Sequence, residues 1–341
     1  MNTIDHEDII EEQEQLAPAE GPRRHVALLR FLARYGTLLV LLAMIIVFSL
    51  KDPDAFATKD NLLNVLNQSS LTAIISVGLT VALIAGDFDL SIGYASSLGG
   101  VLVAGFMGNQ DLSPVLAIAI VLAFGALIGI VNGFLVTKAG VNAVIATLGV
   151  GTILVGFEFL YNDGLPTIVG LPEGFTNLSL NKTLGVPNPI WIAALISAVL
   201  WVVLNRTELG QRLQAAGGNR EAARLAGISV DRIRTFAFVV CGMCAMATGI
   251  LLSAKIGSGT PAAGDGYLLS AFAAVFLGSA TLRDGEFHIL GTLIGVIIIN
   301  VGINGLAIFG APAAAQSFLT GGILIAAVAL STVARRYVKN A

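Results

Sequence analysis

Long apolar runs separated by short polar interruptions leave this chain few ways to fold. Apolar segments fall at about 36–50, 64–86, 90–108, 114–137, 142–161, 189–204, 235–254, 267–282, 289–309 and 317–334. A helix crossing roughly 30 Å of hydrocarbon needs about 20 apolar residues. Ten such segments in 341 residues predict an all-α polytopic membrane protein with about ten transmembrane helices. Several segments are shorter than a full span, so broken or partly crossing helices are expected. Charged residues are 12% of the chain, against about 25% in soluble domains. The 39 glycines fit the same class, because small residues let membrane helices approach closely.

The charges between the runs set an orientation. The stretch 205–234 carries six arginines and three acids, a net charge of +3. A polar island of that size cannot lie in hydrocarbon, and short Lys/Arg-rich loops stay in the cytoplasm. Arg23, Arg24, Arg30 and Arg34 precede the first run, and Arg335, Arg336 and Lys339 follow the last. Both termini are therefore expected inside, N-in/C-in, which requires an even number of crossings. The loops 51–61 and 162–189 are poor in net positive charge and are expected outside. Residues 1–35 read as an acidic and then basic cytoplasmic tail without a fixed fold. One transmembrane domain follows over 36–334, and 335–341 return to the cytoplasm. The segments 81–105 and 273–297 echo each other, apolar run, polar break and glycine-rich run, in the sense of a parallel internal repeat.

Three groups of polar residues stand out. The first is GDFDLSIG (86–93), where Asp87, Asp89 and Ser91 break two apolar runs. A carboxylate at membrane depth needs water or donors. The start of a new helix supplies free N–H groups, so a structural role for this break is expected ahead of substrate contact. The second is LGQRLQAAGGNREAARLAG (209–227), which reads as two short helices around a Gly217-Gly218 turn. The second helix would start at Asn219, a good N-cap, with Glu221 in its first turn. Arg220, Ala222, Ala223 and Arg224 follow, and Ala222, Ala223, Leu225 and Ala226 give a small apolar face suited to a groove on another protein. The third comprises Asn64, Gln68, Ser69, Asn142, Thr147, Asn300 and Asn304 within apolar runs. They could line a path for a hydroxyl-rich solute or simply hydrogen-bond between helices. Glu158 is the one acid inside a span, near its outer end, where it would cap or reach out to water.

Other motifs are absent. The chain has no G-x-x-x-x-G-K-[ST], so it binds no nucleotide by a P-loop. His6, His25 and His288 are scattered, and no metal site is expected. Cys241 and Cys244 lie in one apolar run and are expected to pack as small hydrophobes.

LGQRLQAAGGNREAARLAGISV (209–230) resembles a motif of the membrane permeases of ribose-type, binding-protein-dependent sugar ABC importers. IATLG (145–149), TPAAGDGY (260–267) and GTLIGVIIINVGINGL (291–306) are similar too, and the likeness spans about residues 36–335. One departure is Asp87, which stands where the family usually has glycine. The resemblance implies a permease subunit of the bacterial inner membrane, without cofactor of its own, ATP being used by a separate subunit. It implies ATPase subunits that dock on Gly217, Gly218, Asn219, Arg220, Glu221, Ala222, Ala223 and Arg224. It also implies a periplasmic substrate-binding protein, a second permease chain and surrounding lipid, with no nucleic-acid partner. From the residues alone, an ion-coupled secondary carrier or a passive channel stays open as an alternative.

Overall fold

The computed structural model describes residues 23–168, 170–281 and 285–339, with side chains described within 35–329. The acidic tail, the flanking arginines before residue 35 and the basic side chains after residue 334 lie outside these. The described residues form helices α1 (Arg23–Lys51), α2 (Pro53–Phe56), α3 (Lys59–Ile84), α4 (Ile92–Gly108), α5 (Pro114–Thr137), α6 (Ala143–Asn162) and α7 (Glu173–Leu180). After a two-residue hairpin, β1 (Lys182–Thr183) and β2 (Val186–Pro187), come α8 (Asn188–Arg206), α9 (Glu208–Gly218), α10 (Arg220–Leu225), α11 (Val230–Ile256), α12 (Gly266–Ser279), α13 (Ile289–Ile308) and α14 (Ala313–Lys339). Six of them, α3, α5, α6, α8, α11 and α13, are long and apolar enough to cross a membrane. The apolar parts of α1, α4, α12 and α14 are shorter. The chain is an all-α polytopic membrane protein.

Helix α11 is the axis of the packing. Its 27 residues rise about 40 Å at 1.5 Å each, and it packs against α3, α4 and α5. Two apolar clusters meet along it. The contacts are made by backbone as much as by side chains. On α5, Gly125, Gly129 and Gly133 form a one-turn-spaced stripe against Gly242, the Phe238 carbonyl and Thr235 of α11. Gly249 of α11 lies on the Ser96 carbonyl of α4. Lipid chains are as apolar as leucine, so helices in a membrane gain by packing closely rather than by excluding water. Cys241 and Cys244 are free thiols buried in this seam, as small packing residues.

Elsewhere α3 and α13 are joined by a hydroxyl pair, Thr80 to Thr292 at 2.7 Å. Between α11 and α12 the backbone leaves helical geometry over residues 257–265. Gly257 caps α11 with φ 79°, a conformation that favours glycine. Two of its residues are buried: Gly259 and Gly264 lie against α4, and Gly259 pairs with Thr167 through hydrogen bonds of 2.8 and 3.1 Å.

A Cβ on Gly129 would meet the backbone of Phe238 and Val239, which cannot rotate away. Gly129→Val is expected to separate α5 from α11 and to destabilise the fold by about 3 kcal/mol. Gly149→Val, at an open position of α6, is expected to change little. Thermal unfolding of the detergent-solubilised variants checks both.

Candidate functional site

The polar break and the charged loop are in contact across sequence separations of 133 to 147 residues. Helix α3 ends at Ile84, and Gly86 turns the chain at φ 82°. Asp87 and Asp89 follow, 3% and 1% exposed. A buried carboxylate without a partner is unfavourable by several kcal/mol, and the two acids meet that demand differently. Asp87 receives a bidentate fork from Arg234, Nε to Oδ2 at 2.6 Å and Nη2 to Oδ1 at 2.7 Å. Arg220 Nη2 adds a bond to the same Oδ1 at 3.1 Å and one to the Gly86 carbonyl at 2.8 Å. Arg234 comes from the start of α11 and is 7% exposed; Arg220 opens α10 and is 42% exposed. One arm of this clamp is buried, and the other is open to solvent.

Asp89 has no guanidinium. Its Oδ1 accepts the Ser91 N–H at 2.9 Å and the Ser91 hydroxyl at 2.5 Å. Ser91, rather than Asp89, occupies the N-cap position of α4. Asn132 of α5 donates to Ser91 Oγ at 3.0 Å. The Leu90 N–H donates to Thr147 Oγ1 of α6 at 3.0 Å. Phe88 stacks against Phe272 and Phe276 of α12. Consecutive residues of the break are thus fastened to α5, α6, α10, α11 and α12.

The charged loop is a pair of capped helices. Thr207 accepts the Gly210 N–H at 3.4 Å and starts α9, whose Gly210, Leu213 and Ala216 are buried. The expected Gly217-Gly218 turn is not there. The helix runs through both residues, and the break falls at Asn219. Gly217 is needed for proximity, since a Cβ on it would overlap the Ile84 carbonyl at the end of α3. Asn219 Oδ1 accepts the N–H groups of Glu221 and Ala222 at 3.1 and 3.0 Å, the expected cap of α10. Ala223 faces inward and is buried, so it is not part of an outward docking face. Glu221, Ala222 and Arg224 are exposed, and Leu225 is 89% exposed at the tip. Arg224 and Lys138 pair with Asp231 at 3.2 and 2.9 Å on the surface. The stretch 205–234 is also not all loop: α8 reaches Arg206, and α11 takes in Val230 through Arg234.

The remaining polar residues divide between the two ends of the bundle. Asn142 caps α6 through a bond from the Val144 N–H at 3.0 Å, close to Thr147 and the break. Asn64, Gln68, Ser69, Asn300 and Asn304 lie toward the far end. Gln68 donates to Asn64 at 3.2 Å, and Ser69 is buried. Asn304 and Asn61 exchange two amide hydrogen bonds of 2.9 and 3.0 Å, tying α13 to α3. Asn300 turns back onto the Val296 carbonyl at 2.9 Å. Glu158 does not reach out to water: it is 3% exposed and accepts the Ala262 N–H at 3.3 Å. Sequence reasoning missed Asn61 and Asn132, each a lone amide in or beside an apolar run. It also did not single out Arg234 from its neighbours.

Removing one side of a buried ion pair costs about 3–5 kcal/mol, and an exposed pair about 0–1 kcal/mol. Arg234→Ala is therefore expected to destabilise the protein strongly and Arg220→Ala only slightly. Asp87→Ala combined with Arg234→Met should recover much of the loss from Arg234→Ala. Chemical or thermal unfolding in detergent measures all three.

The family described as "Branched-chain amino acid transport system / permease component" matches residues 61–328. The ribose import permease protein of Escherichia coli (strain K12) is 37% identical over 301 residues, covering 87% of this chain and 93% of that one. Its counterpart in Bacillus subtilis (strain 168) is 36% identical over 298 residues, 87% of this chain and 92% of that one. The D-allose transport system permease protein of Escherichia coli (strain K12) is 33% identical over 302 residues, 88% and 92% of the two chains. No solved structure gives a significant match. The chain belongs to this family of transport-system permease components.

Proposed function

We propose that this chain forms the translocation path of an ABC importer for a sugar or polyol in the bacterial inner membrane. It is a transporter subunit and not an enzyme. The observation that carries the reading is the likeness along nearly the whole chain to permeases named for ribose and D-allose. ATP is used by a separate ATPase subunit. A periplasmic binding protein delivers the solute, and a second permease chain completes the path.

The topology we propose has ten crossings, N-in/C-in, six before the charged loop and four after it. In this arrangement α1, α4, α12 and α14 count as crossings, and residues 257–265 complete the one made by α12. The clamp end is cytoplasmic. The far end, with Asn64, Gln68, Ser69, Asn300 and Asn304, opens outward, and those amides and hydroxyls meet solute hydroxyls through both donors and acceptors. In this topology the segments 81–105 and 273–297 are related as a parallel repeat, and three facts support it: α3 ends at Ile84 and α4 begins at Ile92, α12 ends at Ser279 and α13 begins at Ile289, and Phe88 stacks on α12.

In this reading α10 is the coupling element. Its inward side, Ala223 and Arg220, sits on the membrane domain, and its outward side offers Ala222, Arg224 and Leu225 to the ATPase. Gly217 against Ile84 and Arg220 on Asp87 carry displacement of α10 into the break. The break carries it into α4 and α12 and so shifts the path between its two openings.

Leu225→Glu changes a side chain with almost no contacts of its own. It is expected to leave unfolding temperature unchanged, to weaken co-purification of the ATPase at least about tenfold (~1.4 kcal/mol), and to abolish uptake. In liposomes the chain alone is expected to show no uphill accumulation of solute. Accumulation without ATPase and ATP, driven by an ion gradient, would establish a secondary carrier instead.

A further inference from the structure

The hairpin between α7 and α8 ends in a side chain that touches little of its own chain. Leu184 and Gly185 are the two turn residues between β1 and β2, with φ 55° and 76°. A two-residue turn with positive φ at both positions favours Asn-Gly or Asp-Gly, and leucine fits the left-handed region poorly. Leu184 stands there nevertheless and is 88% exposed. A conformation that disfavours leucine, with the side chain turned outward, calls for a gain outside the chain.

The hairpin is fastened to the start of α8. The Asn188 N–H donates to the Asn181 carbonyl at 2.9 Å, and the Thr183 hydroxyl donates to Asn188 Oδ1 at 2.7 Å. The Trp191 indole N–H donates to the Thr183 carbonyl at 3.2 Å. Trp191 lies in the first turn of α8, so this bond holds β1 at the height of that turn. The 19 residues of α8 rise about 28 Å at 1.5 Å each, close to the ~30 Å of hydrocarbon in a bilayer. Its first turn therefore sits where acyl chains meet headgroups. Trp191, Leu195, Val199 and Val202 are exposed along one face of α8, while Ala193, Ser197, Leu200 and Leu204 are buried on the other. In a polytopic membrane protein the exposed apolar face is turned to lipid, and the hairpin is tied to the end of that face.

We infer that the hairpin is a membrane anchor, with Leu184 inserted among the acyl chains at the headgroup boundary. Burial of Leu184 in hydrocarbon offsets its unfavourable backbone conformation; water would not. Lys182 is exposed and in no ion pair among the described residues, and its ammonium reaches a lipid phosphate. Tryptophan and lysine are the side chains that suit this boundary, each with an apolar body and a polar end. A soluble partner would approach from the open end of the bundle, whereas the bond from Trp191 holds the hairpin at the side of α8. The anchor requires α8 to cross the membrane and does not depend on the solute carried. Under the proposed topology the leaflet is the outer one.

The test uses the full-length protein in nanodiscs of phosphatidylethanolamine and phosphatidylglycerol, with a nitroxide label on Leu184→Cys. Cys241 and Cys244 are buried, and wild type treated with the same reagent gives their background. Leu195→Cys, on the exposed face of α8, is the lipid reference. Leu225→Cys, as exposed as residue 184 but on the charged loop, is the aqueous one. Collision with oxygen relative to a water-soluble nickel chelate is expected to be several-fold higher at 184 than at 225, approaching the ratio at 195. A ratio equal to that at 225 would put the tip in water, within reach of a soluble protein, and overturn the anchor. So would low access to both reagents with an immobilised spectrum, which would place the tip against a second copy of the chain.

Discussion

Asp87 cannot be buried without its arginines. The carboxylate is 3% exposed, inside a bundle whose surroundings are hydrocarbon, and its hydration must be replaced by fixed donors. Two guanidiniums supply them, one from the start of α11 and one from the start of α10. That requirement fixes more than the local geometry. It sets the height of the α3–α4 break relative to α11, and it brings α10 down onto the membrane domain. Arg234 is as dependent on Asp87 as Asp87 is on it. The break and α11 therefore hold one arrangement together, since moving either alone exposes an unpaired charge to a medium of low polarity, and the half-exposed Arg220 adds α10 to them.

The anchor for that arrangement is α11, and what makes α11 an anchor is contact at backbone distance. The glycine stripe of α5 and Gly249 leave no layer of side chains between the helices that could flex or change rotamer. Packing of this kind is stiff and resists gradual deformation. Under the proposed function, displacement at the clamp is more easily taken up by α12, which is shorter than α11 and borders non-helical backbone, than by α11.

Much of the fold could be read from hydrophobic run length, because each span must be long and apolar on its own account. The break at Asp87 and Asp89 and the cap at Asn219 were equally visible, since their signals are local. What the residues did not disclose was the pairing between them. Six arginines lie in the charged stretch, and nothing in their spacing picks out Arg220 and Arg234, the two that bond to Asp87. The one available hint was Asp87 itself, a carboxylate between two apolar runs. Gly217-Gly218 misled for a physical reason. Glycine is a poor helix former, so a pair of them reads as a turn, yet the helix keeps Gly217 for a close approach to Ile84 that only the tertiary fold imposes. The amides of the third group were ambiguous for a similar reason: Asn304 finds its partner on α3, at Asn61, 243 residues away.

The two ends of the bundle are held by interactions of different strength, and an alternating-access transporter needs that difference. At the clamp end the fastening is ionic and buried, and separating it would leave uncompensated charges, a penalty of about 3–5 kcal/mol. At the far end α3 and α13 are joined by a reciprocal amide pair. Interhelical hydrogen bonds between neutral groups contribute only about 1 kcal/mol each, and water entering an opening can replace them. Under the proposed function, the far end is the one that parts by exchanging hydrogen bonds with solvent and solute. The clamp end moves as a block, with Arg234 and Asp87 still joined. In the same reading the solvent-exposed arm, Arg220, is the contact that an incoming ATPase subunit would loosen without unpairing a buried charge. Coupling through a half-exposed arginine beside a fully buried one would then transmit force while leaving the ion pair that holds the domain together intact.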